Sequence, residues 1–328
     1  MSTTKPKVAY IIIGWNNLDI LGECFESLAA QTYKENKIVY IDNNSSDGSV
    51  EWVSKNYPDA VILAQSDNLG FTGGNNLGII ESLKDSLVQY VSLINTDARI
   101  DPDWTEKIME FAQLKPNGAC FQGTTLDYYN RDIIDSTHIF VSHNGQGTQG
   151  SWRNYYTTEF GPKKIFGTNA AACVISRGFI EAQPFKEQFF DTHMFMYLED
   201  VDVAARATVM GWDNYLVPAA RAYHMGSVSS GKNPGFSLYM TFRNNSAMLF
   251  KNLPLGMLIK MSPKILKGDL DTIRTLRRLN KKGEVGKVIK GRLFGLARLP
   301  IYLPARLKMR RHAHIDKDYL WNLMNRGY

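Results

Sequence analysis

Three carboxylates crowd into four positions at Glu199, Asp200 and Asp202, directly after the apolar stretch 194–198. Acids in the first turn of a helix are favoured by its dipole, which accounts for one or two of them. A third exceeds that need, and a positioned carboxylate is a group that takes a proton from a hydroxyl. Further upstream, residues 93–97 read Leu-Ile-Asn-Thr-Asp. Asp97 offers an oxygen ligand of the kind that Mg2+ or Mn2+ shares with a diphosphate, although a lone Asp after a strand also serves as a helix N-cap. In the run 42–49, Asp-Asn-Asn-Ser-Ser-Asp-Gly-Ser, Asp42 can accept hydrogen bonds from a base or ribose, while the same residue types build turns. Residues 68–76 form a glycine-bearing run that enters a helix and can present N–H groups to a phosphate, yet they spell neither GxGxxG nor GxxxxGK[ST]. His224 reads as a buried histidine or a metal ligand.

Such side chains act together only if a scaffold converges them. Residues 8–13 are a continuous β-branched and aromatic run, as expected of a strand covered on both faces. Residues 19–30 place Ile20, Leu21, Cys24, Phe25 and Leu28 at helical spacing. Further strands are predicted over 38–41, 61–64 and 90–94, with helices over 47–57 and 75–83. This alternation predicts βα units feeding a largely parallel sheet. In open α/β sheets ligands lie beyond the carboxyl ends of the strands, which is where Asn16 and Asn17, residues 42–49, residues 68–76 and residues 95–97 fall. Residues 127–164 read as an irregular insertion or hairpin region, 201–210 as a short helix ended by Gly211, and 217–224 as a final strand.

The chain has 328 residues, 44% hydrophobic and 21% charged, which excludes a disordered, collagen-like or coiled-coil protein. Its three cysteines lack ligand spacing, so neither a disulfide scaffold nor a zinc ribbon is expected. The polar start and the brief run 8–13 do not make a signal peptide, and a reducing, cytoplasmic location is expected. Charge is strongly polarised: residues 1–250 hold 19 Lys/Arg against 27 Asp/Glu, and residues 251–328 hold 19 against 5.

Taken in order, residues 11–17, 42–49, 68–71 with Asn75-Asn76, 93–97, 199–202 with Gly211-Trp212, His224 and Arg243-Asn244 resemble the inverting family-2 glycosyltransferases of GT-A fold. The likeness is nearest to their bacterial rhamnosyltransferase-like branch and spans about residues 8–252. The resemblance implies an α/β GT-A fold with a mostly parallel central sheet flanked by helices. It divides residues 1–250 into a nucleotide-sugar half over about 1–125 and an acceptor half over about 126–250, while composition marks 251–328 as a basic, amphipathic, helical section that associates with a membrane or oligomerises. It makes Asp200 the general base with Glu199 its neighbour, and Asp97 the metal-binding acid of a DxD-type motif whose first position is Asn95, with His224 completing the metal site. Asn16, Asp42, Asn68, Gly70, Phe71, Asn75, Asn95, Asp97 and Arg243 then bind the nucleotide-sugar, with Asp42 on the base. The implied cofactor is Mg2+ or Mn2+. The implied donor is a dTDP- or UDP-sugar, dTDP-rhamnose first, and the implied acceptor a polyprenyl-diphosphate-linked or cell-surface glycan. A sugar nucleotidyltransferase and a non-catalytic membrane- or nucleic-acid-binding module are the alternatives. The first would carry a Gly-rich, Arg/Lys-bearing loop after strand one, which 14–19 lacks; the intact Asp42, Asp97 and Asp200 speak against the second.

The basic section interleaves cations with Leu255, Leu258, Ile259, Leu266, Leu293, Phe294 and Ile301. No apolar run approaches the ~18 residues of a membrane span. Mixed apolar and cationic residues suit an interfacial helix on an anionic bilayer, on the inner face of the cell membrane. No nucleic acid is expected as a partner, because apolar residues are too numerous for a phosphate-binding arm. Part of so hydrophobic a section is expected to pack on the catalytic body or on a second copy of the chain.

Overall fold

The computed structural model describes residues 5–157, 161–185, 188–226, 234–315 and 317–324. In chain order the first half comprises β1 (Lys7–Gly14), α1 (Leu18–Ala29), β2 (Asn36–Asp42), α2 (Ser49–Asn56), β3 (Val61–Ala64), α3 (Gly70–Leu83), β4 (Val88–Ile94), β5 (Ala98–Ile100), α4 (Trp104–Ala112) and β6 (Gly118–Asp127). Then come β7 (Ile134–Ser136), β8 (His138–Val141), β9 (Gly147–Gly150), β10 (Lys163–Ile165), β11 (Ala172–Ser176), α5 (Arg177–Ala182), α6 (Glu199–Val209) and β12 (Asp213–His224). The C-terminal helices are α7 (Pro234–Asn252), α8 (Leu255–Arg278), α9 (Lys282–Ala297), α10 (Leu303–Arg311) and α11 (Lys317–Met324).

The central sheet runs β10-β12-β6-β11-β4-β1-β2-β3. Strands β3, β2, β1 and β4 are mutually parallel, and this half matches the expected parallel arrangement. Strand β11 then runs antiparallel between β4 and β6, so the sheet as a whole is mixed. The β1 side chains alternate between two cores: Val8, Tyr10 and Ile12 join α1 at Leu21, Cys24 and Phe25, whereas Ala9 and Ile11 join Ile79 of α3. A strand buried on both faces has no polar alternation to show, which is why 8–13 reads as one apolar run.

Helix α3 begins five residues before the expected 75–83. Glycine is a poor helix former, but here it allows close packing. A Cβ on Gly78 would lie 2.5 Å from Ile11 and 2.8 Å from Ile41, so the bare backbone lets α3 lie directly on the sheet.

Helix α4 and strand β6 occupy a stretch for which periodicity predicts no element. In β6 the polar Gln122, Thr124 and Thr125 are buried among apolar neighbours, which hides the strand pattern. Residues 138–150 form a two-stranded hairpin, in keeping with the irregular region expected there. Helices α7 to α11 make the C-terminal section helical. Met257, Met261, Tyr302, Met309, Leu320 and Met324 complete one core with α6 and α7, so this section packs on the body of the same chain.

Candidate active site

The polar loops after β1, β2 and β4 meet at the carboxyl edge of the parallel strands, where β1 has β2 on one side and β4 on the other. Asn17 donates to Thr96 Oγ1 and so ties the first loop to the fourth. Asn16, at φ 49°, accepts from the Ser46 N–H at 2.8 Å and donates its own N–H to Ser45 Oγ at 3.0 Å. Asp47 accepts from the Leu18 N–H at 2.8 Å and the Ser49 N–H at 3.1 Å, holding the starts of α1 and α2. Residues 42–49 are therefore a stapled turn. Asp42 is buried within it, accepting from Ser45 N–H at 2.8 Å and Tyr40 hydroxyl at 3.2 Å.

Asp97 lies just before β5, whose pairing with β12 sets Ala98 opposite His224. That register brings Asp97 Oδ1 to 3.4 Å from His224 Nε2. The other imidazole nitrogen, Nδ1, is 3.0 Å from Asp135 Oδ2 on β7. Burial alone would lower the His224 pKa, but Asp135 and Asp97 outweigh it and raise the pKa to about 10. Burial likewise pushes Asp97 up, and the hydrogen bond and charge of His224 bring it below the usual carboxylate range.

Asp97 Oδ1 and His224 Nε2 converge at a separation that two ligands of one cation can adopt once the cation displaces the Nε2 proton, with Asp135 fixing the ring by the carboxylate–histidine arrangement that supports metal ligands. Among the described residues no group of three or more His, Cys, Asp or Glu side chains is arranged to hold a metal ion by itself. This open pair suits an ion that completes its coordination with phosphate oxygens and water. Asp135 was not visible in the sequence, because only the β6–β7 pairing brings it to His224.

Glu199 and Asp200 open α6. Burial first, then the charge of Asp200, pushes Glu199 up to about 8, and burial pushes Asp200 up to about 6. Asp200 accepts from the Val201 N–H at 2.8 Å and from the Ala170 backbone. The neighbouring Ala171 carbonyl accepts from Asn95 N–H at 2.9 Å, so the 169–171 segment links the carboxylate pair to the Asn95–Asp97 loop. Glu199 Oε2 is buried with no hydrogen-bond partner among the described residues. Asp202 plays a different part: it is 1% exposed, 3.1 Å from Arg206 and 2.9 Å from Lys251. The third acid of the cluster is thus a core counter-ion.

Glycosyl transferase family 2 matches residues 10–182. The chain belongs to this family. It is a glycosyltransferase. It is 25% identical over 230 residues to an N-acetylglucosaminyl-diphospho-decaprenol L-rhamnosyltransferase of Mycobacterium tuberculosis, covering 65% of this chain and 74% of the relative. Its fold resembles the crystal structure of S. aureus TarS 1-349, with TM-score 0.54 and 15% identity over 98% of this chain and 92% of that one. It also resembles GalNAc-T7 with UDP, GalNAc and Mn2+, with TM-score 0.59 and 13% identity, covering 76% of this chain and 48% of that chain. These likenesses show the GT-A fold.

Within this glycosyltransferase, two N–H groups at the start of the segment 68–76 already have partners. Asn68 Oδ1 takes the Gly70 N–H at 2.8 Å and the Phe195 carbonyl takes that of Thr72 at 3.0 Å. Phe71 packs on Phe190 with ring centroids 6.0 Å apart, and Asn75 turns back to the Phe71 carbonyl at 3.0 Å. A Cβ on Gly70 would lie 2.5 Å from the Phe195 ring, and its φ of 68° also demands glycine. The start of α3 is thus docked on the loop before α6.

That loop is strained: Phe195, Tyr197 and Leu198 all have positive φ, 63°, 73° and 65°, at about 1–3 kcal/mol each. Helix α7 holds it. Asn244 Nδ2 lies 2.9 Å from each of the Met194, Met196 and Tyr197 carbonyls. Arg243 Nη2 donates to the His193 and Met194 carbonyls at 3.0 and 2.7 Å. Where the resemblance put Arg243 on the nucleotide-sugar, the structure uses it first to position the loop that launches Glu199 and Asp200.

Proposed function

We propose that this glycosyltransferase moves a sugar, rhamnose from dTDP-rhamnose in the best-supported case, to a polyprenyl-diphosphate-linked or cell-surface glycan acceptor with inversion. The observation that carries the reading is the pair of raised carboxyls at Glu199 and Asp200, linked through Ala170 and Ala171 to the Asn95–Asp97 edge. Burial raises both carboxyls, and the Asp200 charge raises Glu199 further, which favours Glu199 as the seat of the proton and Asp200 as the free base. One shared proton between the pair is the low-energy state. Asp200 then removes the acceptor hydroxyl proton as the oxygen attacks the anomeric carbon, and the nucleoside diphosphate leaves from the opposite face. Glu199 holds its proton against the charge beside it. Asp97 and His224 would hold Mg2+ or Mn2+, which when bound offsets the charge of the leaving diphosphate. Asp42, Asn16 and Asn95 lie at the strand edge where the donor nucleotide would sit.

The acceptor reading is supported by the likeness to the M. tuberculosis N-acetylglucosaminyl-diphospho-decaprenol L-rhamnosyltransferase and by the C-terminal section. No helix among the described residues is long and apolar enough to cross a membrane. The exposed Leu266, Leu270 and Leu293 instead share their helices with exposed Lys264, Lys267 and Lys290. Residues 251–328 would rest on an anionic inner-face bilayer and bring the site of residues 1–250 to a lipid-linked acceptor. The test is a thermal-shift panel of nucleotide-sugars, with and without Mn2+, followed by transfer to a prenyl-diphosphate-linked sugar. Stabilisation by dTDP-rhamnose that grows with Mn2+ is expected. Stabilisation by a different nucleotide-sugar alone overturns the donor, and stabilisation by none overturns the reading.

A further inference from the structure

Helix α9 crosses α7 at backbone contact. A Cβ on Gly291 would lie 2.5 Å from the Tyr239 carbonyl oxygen, and one on Gly295 would lie 2.5 Å from that of Arg243. The next residue along this face is Arg298, three positions after Gly295 and therefore on the α7 side. Its guanidinium carbon lies 5.6 Å from the Phe294 ring centroid, Phe294 lies 6.4 Å from Tyr239, and Tyr239 lies 6.0 Å from the Arg243 guanidinium carbon. The Arg298 Nε is buried and without a hydrogen-bond partner among the described residues. No ion pair among them joins either arginine to a carboxylate. Burial, and then the charge of Arg298, lowers the Arg243 pKa, as expected of two like charges lacking a counter-ion.

We propose that Arg243 and Arg298 form the binding notch for the diphosphate of a prenyl-diphosphate-linked acceptor. The proposal rests on the lipid-linked acceptor read above and names the residues that would hold it. Two guanidinium charges match a diphosphate; Arg243 already donates Nε to Asn244 and Nη2 to the loop carbonyls, so it supplies charge while Arg298 brings the Nε–H left unpartnered among the described residues. Exposed apolar side chains lie close by in the chain, Leu293 and Phe294 in α9 and Ile301 three residues after Arg298, which suits the first isoprene units where a free phosphate would need none. On the inner side Arg243 reaches the Met194 carbonyl at 2.7 Å, at the head of the strained loop leading to Glu199 and Asp200. A sugar attached to the bound diphosphate would extend along that loop toward the carboxylate pair.

Farnesyl diphosphate is the probe, titrated into the full chain by calorimetry, with farnesol and inorganic pyrophosphate as the separate arms. The wild type is expected to bind farnesyl diphosphate more tightly than pyrophosphate and to ignore farnesol. Arg298→Gln should weaken farnesyl diphosphate binding by about tenfold or more, with Arg298→Lys restoring only part of it, since lysine keeps the charge but lacks the planar fork. Pyrophosphate binding as tight as farnesyl diphosphate overturns the lipid assignment. Equal binding by wild type and Arg298→Gln, or no binding by either, overturns the notch. A matching loss of dTDP affinity in Arg298→Gln would give the notch to the donor diphosphate and also overturn it. The nucleotide-sugar panel reads the donor independently, so failure of the notch leaves the sugar-transfer reading standing.

Discussion

The body over residues 7–224 and the helical section over 255–324 treat their apolar side chains differently. Among the described residues, the body exposes eight large apolar side chains, scattered from Trp15 to Tyr155, whereas residues 255–307 alone expose twelve. The body closes because its parallel strands are covered by helices on both faces, so apolar residues on either side of β1 find a partner. In the C-terminal section one face is spent on the body, through Met257, Met261 and Met309, and the other is left open between cations. Single exposed apolar residues are ordinary, but a contiguous band of them marks a contact surface. The contrast separates a part that holds charges in fixed places from a part that leaves apolar side chains exposed between cations.

The sharpest way to break this division is at the base. Asp200→Asn should cut turnover by about 10²- to 10⁴-fold while donor binding persists, and steady-state kinetics beside nucleotide titration will show it. If Glu199→Gln is the dead enzyme and Asp200→Asn is not, the roles are exchanged. The pH profile sharpens the same point. With Asp200 held up to about 6, kcat should fall about tenfold per unit below that pH as the base takes its proton. Glu199, raised from 4.5 to about 8, contributes stability that is complete below its unfolded value and is lost as pH rises through about 8. Chemical denaturation should show this slope in the wild type and a flatter one in Glu199→Gln.

Next in size is the core ion network. Asp202→Ala leaves Arg206 buried without a counter-ion while Lys251 keeps Asp191 at 2.8 Å, and should cost about 3 kcal/mol in urea unfolding. A loss near zero would return Asp202 to the list of chemical groups. Asp135→Asn should weaken Mn2+-dependent nucleotide binding by about 10–100-fold through the freed His224 ring, and Asp97→Ala should abolish the Mn2+ dependence. Nucleotide affinity indifferent to EDTA in the wild type would count against both.

The smallest effect belongs to the tail. Lys264→Glu with Lys267→Glu should reduce flotation on anionic liposomes by several-fold, at about 1 kcal/mol per cation, and leave hydrolysis of soluble donor at the parental rate. Point substitutions are the right tool because truncation after Asn252 would strip Met257, Met261 and Tyr302 from the core and unsettle the body. Flotation unaffected by lipid charge would hand the open face to a protein partner.

How much of this was legible beforehand differs between elements. Strands β1 to β4 and helix α1 lie where periodicity put them, because local pattern and burial agree there. Helix α3 began early because tertiary contact with Ile11 and Ile41 outweighs glycine's poor propensity. Strand β6 was invisible because its Gln122 side chain is satisfied inside the sheet, accepting the Asn169 N–H at 2.6 Å. The acid cluster looked like one chemical unit, since a string of letters cannot show that Asp202 points at Lys251 while Asp200 points at Ala170.

The sequence by itself determined which groups are available: the acids after the strand ends, the histidine, and a C-terminal section whose charge is opposite to the body's. Residue type and local spacing are properties of the chain, and they survive without knowledge of distant contacts. Only the tertiary structure decided which of those groups meet. Asp97 and His224 are 127 positions apart in the chain and lie 3.4 Å apart because β5 pairs with β12. Glu199 and Asp200 acquire their raised pKa values from burial, and burial is created when distant segments close over a side chain and take water away.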